Sequence, residues 1–314
     1  MSLPLPTRKL GKNGPEVGAL GLGLMGGPMA RNLLKAGHDV ALWSNTREKA
    51  ERIAAEAGGT VFATPAEVAR QCDCVFICVG DSAMSENVIL GPEGLKSGGQ
   101  KREGKARLTI VDASTVSPSS SRRVHEELAK AGIDFLGAPC TGSTPGAING
   151  TLTFMVGGDE RVFERVRPWM EVMGKKLYFC GGPGMGLHAK LTQNLVLSNL
   201  LQAFNEGIVL STRAGVDPVL MLDILSNSAA KSGLIDYKAP FIFRRDFETN
   251  FSVKWMHKDI GLMLESAQEL NVPLFLTALT RQLFQTAITR GHGEEDICST
   301  IKVLEELTGT EVKG

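Results

Sequence analysis

The feature that most constrains the fold of this chain is the alternation of short apolar runs with helix-like segments up to about residue 182. Such alternation is typical of β-α units that fold onto a parallel sheet. Eight strands are predicted, over residues 17–21, 39–43, 60–62, 74–79, 108–112, 134–136, 152–156 and 177–180. The first part of the chain is therefore expected to be an α/β domain.

Two helix starts are signalled inside this region. Thr64 precedes Pro65 and is followed three residues later by Glu67. Ser117 likewise precedes Pro118. A hydroxyl side chain that caps the helix, followed by proline in the first turn, is a recognised start signal. Helices are therefore expected to begin at both prolines.

From Gly184 onward the pattern changes to long helical periodicities, and no strand is predicted. Helices are expected over residues 187–214, 217–227, 251–270 and 273–290. The stretch GGPGMG at 181–186 marks the boundary between the two patterns. We therefore expect an α/β domain over residues 1–183, including a short N-terminal extension at 1–16, followed by an all-α domain over 184–314.

The predicted helix over 187–214 carries apolar residues on nearly every face. A helix of this kind must be buried all round. In a small domain the neighbouring helices can cover it only together with another subunit, so a homodimer or homotetramer is expected. The alternative is a single helical domain in which this helix forms the centre of the core.

The charge balance argues against functions that depend on a basic surface. The 314 residues contain 34 Lys and Arg against 34 Asp and Glu, which gives a formal net charge of zero. Nucleic acids and anionic membranes are both bound through a concentrated positive field, so neither partner is expected. No apolar run approaches the roughly 18 residues of a membrane-spanning helix.

The six cysteines indicate a reducing compartment. No two of them have the two-residue gap of zinc sites and redox motifs, so no metal site is expected. They are expected to be small buried hydrophobic residues. Cysteines of this kind favour a location in the cytoplasm. Prolines and glycines interrupt the N-terminal apolar stretch, so neither a signal peptide nor a transit helix is expected there.

A glycine motif of the form G-x-G-x-x-G follows the first predicted strand, opens a helix and leads to a second strand. The first glycine permits a tight turn, the second lets a pyrophosphate approach the backbone, and the third lets helix and strand pack closely. The predicted dinucleotide-binding residues are Gly21, Leu22, Gly23, Leu24, Met25 and Gly26. A purely structural turn is the alternative.

The end of the second predicted strand favours one nicotinamide cofactor over the other. An enzyme that uses NAD usually has Asp or Glu there to bind the ribose hydroxyls, whereas this chain has Ser44, Asn45, Thr46 and Arg47. Hydroxyl, amide and guanidinium donors suit a 2′-phosphate, so NADP(H) is favoured. NAD(H) stays possible, because the same residues also fit a helix cap followed by a solvated arginine.

Five segments carry a resemblance to a known family. They are GLGLMGGPMARNLLKAGHDV at 21–40, DASTVSP at 112–118, GAPCTGSTPGAINGTLTFMVGG at 137–158, GMGLHAKLTQN at 184–194 and FSVKWMHKDIGLMLESA at 251–267. From about residue 17 to its end the chain resembles the β-hydroxyacid dehydrogenase family. That resemblance implies a Rossmann-type N-terminal domain followed by an all-α domain, in agreement with the boundary above.

The resemblance implies two catalytic residues. In the family, the lysine of the motif G-x-G-x-x-x-K-x-x-x-N exchanges a proton with the substrate oxygen, and the asparagine positions the substrate; these match Lys190 and Asn194. A separation of four places both side chains on one helical face. An ordinary surface lysine is the alternative, but the neighbours of Lys190 are apolar and a lysine without a role is costly there.

The resemblance also implies further contacts. The implied substrate-binding residues are Thr115, Thr141, Gly142, Ser143, Phe251 and Asp259, and the implied cofactor-binding residues are Val79, Gly80, Ser114, Thr115 and Lys258. The chain departs from the family's Ser-Gly-Gly run at Thr141 and Ser143, so the family's usual substrates are not assumed. On its own, the Lys258–Asp259 pair also fits two solvated charges on a helix.

These expectations define an NAD(P)-dependent oxidoreductase, with NADP(H) favoured, that interconverts a small β-hydroxyacid and its carbonyl or semialdehyde partner. An imine reductase of the same architecture is one alternative, although such enzymes typically have Asp or Tyr at the position of Lys190. A catalytically inactive oligomeric scaffold is another, but scaffolds of this family lose the lysine and gain basic appendages. The opening residues also resemble an aldo-keto reductase, and that resemblance ends after residue 26.

Overall fold

A computed structural model describes residues 15–102 and 106–314 of the chain. The chain divides into two compact units, the first ending at Lys190 and the second running from Leu191 to Gly314. Of the expected N-terminal extension, residues 1–14 lie outside the described residues.

The described part of the first unit contains one nine-stranded sheet. Its strands are β1 (Val17–Leu20), β2 (Val40–Trp43), β3 (Thr60–Val61), β4 (Cys74–Ile77), β5 (Thr109–Asp112), β6 (Asp134–Gly137), β7 (Cys140–Thr141), β8 (Leu152–Gly157) and β9 (Gly174–Gly181). They follow the order β3-β2-β1-β4-β5-β6-β8-β7, and β9 pairs with β8. Strands β1 to β6 are parallel to one another, and all eight predicted strands are present.

The sheet is parallel, as expected, except at one edge. Strand β8 is antiparallel to both β6 and β7. A crossover to a parallel neighbour needs about a dozen residues or more, whereas only the short helix α7 (Ser143–Ile148) and its flanking turns separate β7 from β8. The chain therefore returns antiparallel. The sequence carries no signal for β7, because two residues are too few to show a periodicity.

The other helices of the first unit are α1 (Gly26–Lys35), α2 (Arg47–Ala57), α3 (Pro65–Gln71), α4 (Ser82–Leu90), α5 (Leu95–Gly99), α6 (Pro118–Lys130) and α8 (Glu160–Met173). Both predicted helix starts are confirmed. The Thr64 hydroxyl accepts a hydrogen bond from the Glu67 amide at 3.2 Å. The Ser117 hydroxyl caps α6 by accepting from the Ser120 amide at 3.5 Å.

The central strands of the sheet are buried on both faces. In β4, Cys74 and Phe76 belong to one apolar cluster, whereas Val75 and Ile77 belong to a second. Because successive strand residues point to opposite faces, the two clusters lie on opposite sides of the sheet. This two-sided burial explains why the strands appear in the sequence as continuous apolar runs rather than as alternating ones.

Helix α9 (Met185–Arg213) begins in the first unit and continues into the second. The second unit further contains α10 (Pro218–Ser226), α11 (Gly233–Phe243), α12 (Val253–Glu269), α13 (Phe275–Thr289), a 3₁₀ turn (Ile297–Thr300) and α14 (Ile301–Thr308). The four predicted helices are present, and no strand occurs in residues 182–314, all of which are described. The sequence did not signal α11, which contains Pro240, or the short α14.

Two apolar clusters hold the second unit together. Leu201 of α9 packs in one cluster with Ile260 of α12 and Phe284 of α13. Further along α9, Ile208 packs in the other cluster with Ile242 of α11 and Ile301 of α14. Both clusters depend on α9, so this helix is the common support of the unit.

Candidate active site

The predicted cofactor loops all leave the sheet at one edge. Leu20 is paired in register with both Trp43 and Ile77, and Ile77 is paired with Asp112. Since these strands are parallel, the segments that follow β1, β2, β4 and β5 emerge side by side. Strand β1 lies between β2 and β4, so the strand order reverses there. In open α/β sheets, ligands bind outside the carboxyl ends of the strands at such a reversal.

The glycine loop after β1 has the geometry of a dinucleotide cradle. Gly21 has a φ of +80°, and a Cβ there would lie 2.2 Å from the Cys78 carbonyl oxygen. A Cβ on Gly26 would lie 2.1 Å from the Gly21 carbonyl oxygen. A Cβ on Gly23 would meet nothing within 4 Å. The first and third glycines are therefore required by the fold itself, whereas the second leaves open the space that a pyrophosphate needs.

Helix α1 starts directly from this loop and presents its amino end there. Among the described residues, no side chain caps this end and no acidic residue lies in its first turn. The first amide groups of a helix have no partner within the helix, and they form the positive end of the helix dipole. The loop and the start of α1 therefore fit the diphosphate of a nicotinamide dinucleotide.

The segment after β2 places its polar residues at the start of α2. Asn45, Thr46 and Arg47 are exposed, and the Ser44 hydroxyl accepts a hydrogen bond from the Thr46 amide at 3.3 Å. Thr46 occupies the cap position of α2, although its side chain makes no capping bond. Arg47 Nε lies 2.7 Å from Glu51 Oε1, and both side chains are more than half exposed, at 59% and 53%. Within the described part of the chain, the guanidinium is therefore held by a surface ion pair.

The segments that follow β4 and β5 are joined by hydrogen bonds. The Ser114 hydroxyl accepts from the Val79 amide at 2.8 Å, and the Ser114 amide donates to Asp112 Oδ1 at 2.9 Å. The Ser85 hydroxyl, on α4, donates to Asp112 Oδ2 at 2.5 Å. Sequence reasoning missed Asp112 and Ser85. The available signal was a carboxylate placed as the last residue of a buried strand.

Ser143, where the chain departs from the family pattern, lies in a stretch of backbone with positive φ angles. Gly142 has a φ of 131°, and Ser143, the first residue of α7, has a φ of 54°. Ser143 thus keeps the left-handed conformation that glycine adopts without a steric penalty. The predicted substrate-binding segment therefore keeps a glycine-type backbone, although a hydroxymethyl group has been added.

Glycines fix the start of α9 and thereby the position of Lys190. Gly184 has a φ of +85°, and a Cβ on Gly186 would lie 2.2 Å from the Met155 carbonyl oxygen in β8. The helix therefore starts in direct backbone contact with the sheet. Lys190 is only 7% exposed. Burial raises the pKa of the Cys140 thiol to about 11, and the charge of Lys190 acts in the opposite direction. The charge of Lys190 is thus close enough to affect Cys140, in the strand β7 that ends at Thr141.

In the second unit, three predicted site residues meet around one buried carboxylate. The Asn194 amide nitrogen donates to Asp259 Oδ2 at 2.7 Å, and Lys258 Nζ lies 2.9 Å from Asp259 Oδ1. Asp259 is 2% exposed, so the Lys258–Asp259 pair is not two solvated charges on a helix surface. The carboxylate joins α9 to α12 and fixes the orientation of the Asn194 amide.

Phe251 is half-buried and stands just before α12. Its amide donates to Asp296 Oδ2 at 3.2 Å. Lys238 Nζ lies 2.8 Å from Asp296 Oδ1, and both side chains are almost fully buried. Sequence reasoning missed the Lys238–Asp296 pair, because its members are far apart in the chain and belong to no motif.

Two absences concern the described residues only. In that part of the chain, no three His, Cys, Asp or Glu side chains come together in a group that could hold a metal ion. None of the helices described is long and apolar enough to cross a membrane.

The fold and the site define a class of protein. A glycine cradle at the strand-order reversal, polar loops beside it and a buried lysine are the parts of a nicotinamide-dependent oxidoreductase. The comparisons agree with this class. Residues 16–182 match the family model for the NAD binding domain of 6-phosphogluconate dehydrogenase. Residues 184–304 match the model described as NAD-binding of NADP-dependent 3-hydroxyisobutyrate dehydrogenase.

Individual relatives narrow the assignment. The 2-(hydroxymethyl)glutarate dehydrogenase of Eubacterium barkeri is 38% identical over 95% of this chain and 98% of its own. The 2-hydroxy-3-oxopropionate reductase of Escherichia coli is 34% identical over 92% of this chain and 97% of its own. The solved 3-hydroxyisobutyrate dehydrogenase of Mycobacterium tuberculosis with L-serine has a TM-score of 0.84 at 28% identity, covering 93% and 99% of the two chains. The chain belongs to the β-hydroxyacid dehydrogenase family, and it is an NAD(P)-dependent oxidoreductase that acts on CH–OH groups.

Proposed function

We propose that this enzyme uses NADP(H) in preference to NAD(H) to interconvert a small β-hydroxyacid and its carbonyl or semialdehyde partner. The observation that carries the proposal is the buried Lys190, one helical turn before an Asn194 whose amide is fixed by Asp259. Two relatives named for a hydroxymethyl diacid and for 2-hydroxy-3-oxopropionate support a substrate with a carboxylate near the reacting carbon.

The first unit supplies the cofactor contacts in this proposal. The loop from Gly21 to Gly26 and the start of α1 hold the diphosphate. Ser44 to Arg47 bind the adenosine ribose, and Val79, Gly80, Ser114 and Thr115 border the nicotinamide. When bound, the nicotinamide supplies or accepts the hydride.

Lys190 exchanges the proton in this mechanism. As an alcohol is oxidised, its hydroxyl proton passes to the amine of Lys190, and the reverse transfer accompanies reduction. Thr141, Gly142 and Ser143 bind the substrate carboxylate through hydroxyl and amide donors. An asparagine amide has two N–H donors and one oxygen acceptor. One donor of Asn194 is committed to Asp259, which leaves the oxygen and the second donor to orient the substrate.

The NADP preference is supported by the chemistry after β2. No carboxylate stands at positions 44–47. The ion pair of Arg47 with Glu51 is exposed, and exposed ion pairs contribute little to the free energy of folding. A 2′-phosphate can therefore replace Glu51 as the partner of the guanidinium. The second matching family model is itself described as NADP-dependent.

We further propose that residues 1–183 bind the cofactor and that residues 184–314 serve substrate binding and oligomerisation. The second unit exposes large apolar side chains on α9, α10 and α13, among them Val196, Leu220 and Leu279, and Phe275 is 85% exposed. A second copy of the chain would cover such a surface, as expected for a homodimer or homotetramer. The six cysteines, none of which forms a disulfide within the described residues, fit the reducing conditions of the cytoplasm.

A panel of 3-hydroxyacids and short semialdehydes, followed by nicotinamide absorbance with NADP(H) and NAD(H), tests the function. The wild type should turn over a member of the panel, with NADP(H) preferred. Lys190→Ala should lose about a hundredfold or more in kcat while it retains dinucleotide binding. Wild-type turnover in Lys190→Ala would remove the lysine from the mechanism. Absence of turnover across the panel would reject the substrate class.

A further inference from the structure

The carboxylate of Asp112 lies at the centre of a hydrogen-bond chain below the predicted nicotinamide loops. Asp112 and Ser114 are both 2% exposed, as is Ser85. Ser85 donates its hydroxyl to one carboxylate oxygen, and the Ser114 amide donates to the other. The Ser114 hydroxyl then accepts the amide hydrogen of Val79. One buried carboxylate thus connects α4 to the segments that follow β4 and β5.

The segment after β5 is held to α4 at its other end too. The Ser117 amide donates to the Ser82 hydroxyl at 3.0 Å. Ser82 and Ser85 are three residues apart and lie on one face of α4. Within the segment between these two attachments, Ala113, Ser114 and Val116 are buried and Thr115 is the residue left partly accessible.

We propose that Ser85 and Asp112 are positioning residues for hydride transfer, acting through the backbone of the Val79–Gly80 and Ser114–Thr115 segments. The inference deepens the proposed function and rests on it, since those segments border the nicotinamide there. Water cannot replace a hydrogen-bond donor that the buried carboxylate of Asp112 loses. The fully bonded network is therefore expected to hold the two segments in one favourable arrangement. Displacing a reacting group by about 1 Å can cost roughly a hundredfold in rate.

A matched pair of substitutions separates positioning from general stability. Ser85→Ala removes one hydroxyl-to-carboxylate bond between α4 and the loop. Ser120→Ala also removes a hydroxyl-to-carboxylate bond to α4, because the Ser120 hydroxyl of α6 donates to Glu86 of α4 at 2.6 Å. Ser120 is also buried, but its bond does not reach Asp112 or the loop. The loss of stability is expected to be smaller in Ser120→Ala, because the partly exposed Glu86 keeps Arg123 as a partner. Only Ser85→Ala should disturb the loop.

The first readout needs no cofactor. Amide hydrogen exchange, measured by mass spectrometry on the cofactor-free protein, should become faster around residues 78–81 and 113–117 in Ser85→Ala but not in Ser120→Ala. The second readout is the emission of bound NADPH, or of NADH if the wild type prefers it. Its intensity or wavelength should change in Ser85→Ala because the dihydronicotinamide is held differently.

The third readout compares the change in kcat with the change in the dinucleotide Kd. Ser85→Ala should lose roughly tenfold or more in kcat, with dinucleotide Kd changed less than about threefold. Asp112→Ala should behave in the same way, and Asp112→Asn should restore most of the loss. The asparagine oxygen can accept from the Ser114 amide, and its NH₂ group can donate to Ser85.

Two negative results have different meanings. If the wild type is active and Ser85→Ala matches Ser120→Ala in exchange, emission and kcat, the positioning role is overturned and the proposed function survives. If the wild type binds neither dinucleotide, the proposed function fails and this inference fails with it.

Discussion

The two units present their candidate groups in different ways. In the first unit, backbone groups form most of the candidate site: a glycine loop, a helix amino end and segments that leave parallel strands at one edge. In the second unit, side chains from two helices meet around the buried carboxylate of Asp259. The backbone site depends on glycines, which have no Cβ atoms, and on a helix end without a capping side chain. The side-chain site depends on a buried charge that is shared between two donors.

The difference predicts two kinds of sensitivity. Adding atoms should damage the first unit, because its glycines are required by close contacts or by space for a ligand. Removing atoms should damage the second unit, because the Asn194 amide would then be buried without its acceptor. Four predictions test this contrast.

The largest effect is expected from Asp259→Ala, which removes the acceptor shared by Asn194 and Lys258. A buried polar group left without a partner costs about 1–3 kcal/mol. The melting temperature should therefore fall, and kcat should drop by roughly a hundredfold because the Asn194 amide is no longer fixed. Asp259→Asn keeps an oxygen for Asn194 and should retain more stability. Unchanged calorimetric Tm and kcat in Asp259→Ala would show that the buried group is dispensable.

The next largest effect is expected from Gly26→Ala, whose Cβ would lie 2.1 Å from a backbone oxygen. Forced overpacking typically costs about 1–3 kcal/mol, so both Tm and dinucleotide affinity should fall. Gly23→Ala is the matched variant, because a Cβ there meets nothing within 4 Å. It should leave Tm unchanged and still weaken binding in titration calorimetry. Normal dinucleotide affinity in Gly23→Ala would contradict the assignment of that open space to a pyrophosphate.

A smaller effect is expected from Arg47→Ala on the choice between nucleotides. A charge-assisted phosphate contact that is exposed to solvent should be worth roughly tenfold in affinity for NADPH, with little change for NADH. Glu51→Gln is the control, because it removes the competing partner of Arg47 and should tighten NADPH binding slightly. Equal losses for the two nucleotides in Arg47→Ala would argue against a 2′-phosphate contact.

The smallest effect is expected from Ser143→Gly. Glycine relieves the strain of a φ of 54° but enlarges the conformational freedom of the unfolded chain. The net gain should be below about 1 kcal/mol, visible as a small rise in Tm. Combined with Thr141→Ser, the change should also shift the ratios of kcat/KM across the hydroxyacid panel. A fall in Tm would show that the Ser143 side chain stabilises its own turn, and unchanged ratios would place substrate choice elsewhere.

Much of the first unit could be predicted because its signals are local in the chain. Strand alternation, the caps at Thr64 and Ser117 and the spacing of Gly21, Gly23 and Gly26 each involve a few neighbouring residues. The antiparallel edge could not be predicted, because it depends on how the short segment after β6 returns to the sheet.

The sequence by itself determined the order of β-α units, the change to long helices after the last strand, the glycine loop and the spacing that puts Lys190 and Asn194 on one face of α9. These are consequences of backbone geometry and helical repeat, which operate over a few residues. Only the tertiary structure decided that Asp259 is buried against Asn194, 65 residues away, and that Ser85 and Asp112, 27 residues apart, share a hydrogen bond. The physical reason is desolvation: whether a carboxylate is a solvated surface charge or a buried acceptor depends on the packing around it, and distant parts of the chain supply that packing.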